Sequence, residues 1–111
     1  MARQFDYREI DSIIHAPVRL GIVSMLASVG ELDFNSIGEQ LELSDGNLST
    51  HLRKLEESGY VECRKSFLDR KPRSTYRLLP KGRAAFERYI NVLEKIALSD
   101  RKRRDRHVSS R

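Results

Sequence analysis

The chain has 111 residues, 39% of them hydrophobic and 33% charged, which fits one small soluble domain and leaves no room for a second of ordinary size. No apolar run nears the ~18 residues of a membrane span, and the start Met1-Ala2-Arg3-Gln4-Phe5-Asp6 lacks the apolar stretch of a secretion signal; the lone Cys63 excludes an internal disulfide and a multi-cysteine zinc site, so a cytoplasmic, reducing compartment is expected. The net charge of +5 is uneven: the chain is acidic up to Cys63, basic by +5 over Arg64 to Arg77, and basic again from Asp100 to Arg111.

Ile10, Ile13 and Ile14 recur at helical spacing and halt before Pro17, a residue suited to the first turn of a second helix, which is expected from Pro17 to about Ser28. Val18, Ile22, Leu26 and Val29 form its stripe, with Leu20, Val23 and Met25 adding apolar surface. Gly30 ends it, and Glu31-Leu32-Asp33 is a connector or a very short strand. Asn35 is a candidate cap for Ser36 to Leu41, where Ile37 and Leu41 share a face, and Glu42-Leu43-Ser44 makes a tight turn. Ser44 then caps a third helix, 45–58, with Asp45 at the positive end of its dipole. Leu48, Leu52 and Leu55 are its buried stripe; Gly46, Thr50, Arg53 and Glu57 point away, flanked by Asn47 and Lys54.

After Gly59, Tyr60 to Lys65 alternates as a strand with Val61 and Cys63 inward, and Ser74 to Leu78 alternates again. Pro72 interrupts the stretch between them, so a hairpin with a long basic tip over Ser66 to Arg73 is expected. Past Pro80-Lys81-Gly82, a last helix to about Ser99 carries Phe86, Tyr89, Ile90, Leu93, Ile96 and Ala97 on one stripe, to be covered either by an identical helix of a second subunit or by the chain's own core. The domain is thus 1–99, with 100–111 a basic, disordered tail.

His15, His51 and His107 are scattered and none pairs with Cys, Asp or Glu at ligand spacing, so no metal is expected; no phosphate loop or nucleophile motif is present either, and neither a cofactor nor catalysis is expected. What remains is a helix-turn-helix followed at once by a cationic hairpin. A helix fits the major groove, where Ser44, Asn47, Ser49, Thr50, Arg53 and Lys54 offer groups that read base edges or hold phosphates, and Gly46 permits close approach. Arg64, Lys65, Arg70, Lys71, Arg73 and Arg77 can neutralise flanking phosphates, with Arg70 or Arg73 able to enter the minor groove. His51, between the buried and exposed faces, reads as a hydrogen-bonded structural residue first and a base reader second.

The run from Asp33-Phe34 through Ser44-Asp45-Gly46-Asn47-Leu48-Ser49-Thr50-His51-Leu52, then Leu55-Glu56-Glu57-Ser58-Gly59-Tyr60-Val61, resembles a winged-helix transcriptional regulator. Arg70-Lys71-Pro72-Arg73-Ser74-Thr75-Tyr76-Arg77-Leu78 and Pro80-Lys81-Gly82-Arg83 are similar to the wing and post-wing turn of MarR and ArsR-like groups, especially their short DNA-binding-domain-only members. The resemblance spans roughly Val18 to Leu93. It implies a mainly α fold with a small β-hairpin, a winged helix-turn-helix, and a homodimer built from the first and last helices: Ile10, Ile13, Ile14, Phe86, Tyr89, Ile90, Leu93 and Ile96. Such a dimer binds pseudo-palindromic double-stranded DNA through the third helix and wing to repress or activate transcription. The chain departs from metal-sensing relatives in lacking their cysteine pair and histidine-bearing last helix, and no small-molecule effector is legible. The competing readings are a winged-helix protein-interaction module and, with less support, a redox or small-molecule sensor using Cys63.

Overall fold

The computed structural model describes residues 6–109, with side chains to Arg106. Four helices and three strands follow in the order α1 (Pro17–Val29), β1 (Glu31–Asp33), α2 (Phe34–Leu41), α3 (Asp45–Glu57), β2 (Val61–Leu68), β3 (Lys71–Leu78) and α4 (Pro80–Ser109). The sheet is antiparallel in the order β1-β3-β2: the short segment before α2 is a strand, and it makes β3 the central one.

The segment ahead of α1 corrects the expected first helix. Between Asp6 and Ala16 it holds only a 3-10 turn, Tyr7–Glu9, and then an irregular turn, because the Asp11 carboxylate accepts the backbone N–H groups of Ile13 and Ile14 and so competes with a helical ladder. Its isoleucines are not a free stripe: Ile14 is fully buried against Ala85 and Tyr89, and Ile10 and Ile13 pack on the two core clusters. The α1–α3 unit closes over Ile22, Val23, Leu26, Ile37, Leu48, Leu52 and Leu55, with Val61 and Tyr76 from the sheet beneath. Ile22 and Leu26 bury as the periodicity predicts, whereas Val29, one turn further, is exposed at the helix end. Asp33 rather than Asn35 is the N-cap residue of α2.

Gly82 positions α4. A Cβ there would fall inside the Tyr60 backbone carbonyl, so only glycine lets the first turn of α4 rest on the residue that leads into β2. The Tyr60 carbonyl also accepts the N–H of Leu79 at 2.9 Å. The apolar stripe of α4 ends near Ser99, yet the helix does not: it runs to Ser109, about 45 Å in all, with Arg104 paired to Asp100 one turn back and cations gathered at the negative end of the dipole. The basic segment expected to be disordered is therefore helical through Ser109, and its last two positions lie outside the described residues.

Candidate nucleic-acid interface

The start of α3 is built as the sequence implies. Ser44 Oγ accepts the N–H of Asn47 at 3.3 Å, and Asp45 lies in the first turn. Leu48, Leu52 and Leu55 anchor one face in the core, leaving Ser44, Gly46, Asn47, Thr50, Arg53 and Lys54 exposed and Ser49 partly so. Thr50 Oγ1 donates to the Gly46 carbonyl at 3.0 Å, so its hydroxyl proton is occupied and the side chain offers a methyl group and acceptor lone pairs to whatever approaches. Apart from its own helix backbone and its chain neighbours, no described atom lies within 4 Å of where a Gly46 Cβ would stand: packing inside the chain does not demand glycine there.

On the flank of α3, Arg19 of α1 donates to the Ile13 carbonyl at 2.6 Å and lies 3.2 Å from His51 Nδ1. A guanidinium has no acceptor, so Nδ1 must be unprotonated and the ring neutral. Burial, then the charges of Arg19 and Lys54, hold the His51 pKa below its usual value in agreement. His51 thus ties α3 to the N-terminal segment. That segment is tied again where the Tyr60 hydroxyl donates to Asp11; burial, then this bond, push the phenol up to about 12.

The hairpin differs from its expected form. Its strands are full length, 61–68 and 71–78, and the turn is only Asp69-Arg70, both at positive φ (51° and 67°) as a type I′ connection requires. Pro72 does not break β3. Leu68 and Lys71 flank the two-residue turn and exchange backbone hydrogen bonds, so the next pair, Phe67 with Pro72, is a non-bonded one and the missing N–H faces away from β2. β1 pairs only with residues 75–77, so that outward edge has no strand to bond.

Register also sorts the wing side chains. Val61, Cys63, Lys65 and Phe67 share the face of Tyr76, the side packed on the core. Glu62, Arg64, Ser66 and Leu68 share the other face with Lys71, Arg73, Thr75 and Arg77, and β1 adds Glu31 and Asp33 to it. All six basic wing residues are exposed, but they keep different company. Arg77 bonds Glu62 at 2.6 Å, Arg64 lies 3.5 Å from the same carboxylate, and Arg73 lies 4.0 Å from Asp33. The Ser36 hydroxyl, then Arg73, hold the Asp33 carboxyl below the usual carboxylate range. Among the described residues, Arg53, Lys54, Lys65, Arg70 and Lys71 form no ion pair.

Helix and wing meet in a groove of about 460 Å³ lined by Ser49, Leu52, Arg53 and Glu56 of α3 with Cys63, Lys65 and Tyr76 of the sheet. Ser49, Arg53 and Lys65 are thereby brought together; Arg64, Arg73 and Arg77 are not. The expected dimer residues also divide: Phe86, Tyr89 and Ile90 pack with Ile14 inside the chain, while Leu93 is 37% exposed. Phe67, 76% exposed near the wing tip, is not legible as a wing residue in the sequence, where Pro72 suggests an earlier strand end.

A three-helix unit whose third helix is capped, polar on its open face and flanked by a tight β-hairpin is a winged helix-turn-helix. The chain belongs to the winged helix DNA-binding domain family, whose model matches residues 18–97. An uncharacterised protein of Methanocaldococcus jannaschii is 41% identical over 78 residues, 70% of this chain and 85% of that one. Among solved structures, the transcriptional regulator homologue of Pyrococcus horikoshii is 33% identical with a TM-score of 0.73, covering 78% of this chain and 86% of its own. HlyU from Vibrio cholerae is 32% identical with a TM-score of 0.58, over 68% and 77%. The fold is the one that these two regulators share with the family. Among the described residues, no helix is long and apolar enough to cross a membrane.

Proposed function

We propose that the chain is a sequence-specific regulator of transcription that binds double-stranded DNA as a homodimer, with α3 in the major groove and the wing on flanking phosphates. The observation that supports this most is the shared groove: Ser49 and Arg53 of α3 and Lys65 of the wing line one surface, so a single duplex meets both elements. Asn47, Ser49, Thr50 and Arg53 address base edges. Ser44, Gly46 and Lys54, with the positive end of α3, hold the backbone, and Lys65, Arg70 and Lys71 supply wing cations that form no ion pair among the described residues. Leu93, Leu98 and the partly covered Ile96 form the apolar surface that a second copy's α4 covers.

Fluorescence anisotropy on duplexes selected from a random library tests the reading. A dimer that neutralises about four phosphates per subunit gives a log-log salt slope of roughly −7, a loss of ~10³-fold or more between 50 and 200 mM salt. Footprints should be palindromic, with half-sites about 34 Å apart. Light scattering should return the dimer mass, and Leu93→Glu with Ile96→Glu should return the monomer and weaken binding. A flat salt response, or a wild-type monomer bound to DNA, overturns the corresponding half.

A further inference from the structure

Near its tip the wing carries an aromatic side chain that the described residues leave largely uncovered. Phe67 is 76% exposed, in a stretch from Arg64 to Arg73 whose other members, Leu68 aside, are charged, hydroxyl-bearing or proline. Leu68, 54% exposed, belongs to the opposite face of the hairpin. Phe67 does not: it continues the row Val61, Cys63, Lys65, which borders the groove with α3. At about 3.4 Å per residue it stands about 14 Å beyond Cys63, close to the roughly 17 Å of half a helical turn that separates a major groove from the adjacent minor groove. Lys65 shares its face two residues back and Arg70 stands in the turn beyond it, neither in an ion pair among the described residues, so the phenyl is accompanied by charge that suits a polyanion. Its support is stiff. Pro72 lies directly across the strand pair with φ fixed by its ring, and the turn that follows Leu68 is the shortest a hairpin allows, with Arg70 held at φ 67°.

We propose that Phe67 is a wedge that enters the minor groove beside the segment faced by α3 and partly unstacks one base step, so that the wing selects DNA by deformability where no hydrogen bond reads the sequence. The inference rests on the DNA-binding reading above. It adds a residue, a mode of contact and a preference: flexible TA or CA/TG steps at a fixed distance on each side of the segment faced by α3, and a bent duplex.

The test uses the full chain and duplexes selected by the wild type, end-labelled for energy transfer and carrying 2-aminopurine at successive flanking positions. Wild type should brighten 2-aminopurine at one flanking step and bring the duplex ends closer. Phe67→Ala should keep its melting temperature and salt slope, bind about tenfold more weakly, the size of one lost stacking contact, and lose the brightening, the bend and the preference for flexible flanks. Phe67→Leu, still an apolar wedge, should keep most of the bend. Equal bending and flank preference in Phe67→Ala would overturn the wedge while leaving the DNA reading intact, as would a fall in its mass by light scattering, which would place the phenyl between two copies. Failure of the wild type to bind any duplex would remove the DNA reading itself, and the wedge with it.

Discussion

Four of the hairpin's cations, Arg64, Lys71, Arg73 and Arg77, stand on the face turned from α3, and the carboxylates Glu31, Asp33 and Glu62 stand among them. The face toward α3 carries one cation, Lys65, and one exposed ring, Phe67. A segment of net charge +5 therefore holds two chemically different surfaces, one largely compensated within the sheet and one left open beside the recognition helix. The lesson is that the number of cations in a wing is not the number of phosphates it can neutralise. A guanidinium already held at 2.6 Å by a carboxylate adds little to counterion release.

The substitution with the largest expected effect removes the base on which both faces stand. Gly82→Ala drives a methyl group into the Tyr60 carbonyl and should cost about 3 kcal/mol, lowering the melting temperature by roughly 10 °C or more in calorimetry. Next comes the contrast between faces. Lys65→Ala should flatten the salt slope of a dimer by about 1.8, two lost contacts, whereas Arg77→Ala should change it by less than about 0.5. Equal changes would erase the distinction drawn between the two surfaces. Gly46→Ala separates function from folding: it should leave stability unchanged or raise it by about 0.5 kcal/mol while weakening DNA binding, because nothing in the chain occupies that space.

The smallest effect concerns pH. The depressed His51 pKa means that the unfolded chain takes up this proton first, so the stability linked to the ring is complete above its ordinary pKa of 6.5 and declines as pH falls toward the folded value. Subtracting urea-unfolding curves of His51→Gln from those of wild type between pH 7 and 5 should isolate that decline. A difference independent of pH would mean that the ring does not titrate differently in the two states.

The capped start of α3, its leucine stripe and the polar face opposite were legible because each depends on residues within two turns of one another. Val61 and Cys63 facing inward were legible for the same reason. The first helix was not, since three isoleucines at helical spacing carry no record of the Asp11 carboxylate that captures their N–H groups. The length of the hairpin was hidden by Pro72, whose cost depends on whether its N–H position faces a partner strand, a property of register and not of composition. The division of cations into open and compensated sets needed β1, because Asp33 and Glu31 reach the wing only through a pairing some forty residues away. Tyr89 read as a contact for a second subunit because its partner within the chain, Ile14, lies in a turn.

The contact between Gly82 and Tyr60 bears on the assembly as well as on stability. One residue, Leu79, separates the wing from α4, and the glycine seats the rod directly on the wing's root, so there is no slack between them. If two such rods cross in a pair, the point and angle of their crossing set how far apart the two hairpins stand, as the pivot of a pair of calipers sets the gap at its tips. Anything that altered that angle would change which half-site spacing fits, without touching a single residue that meets the DNA.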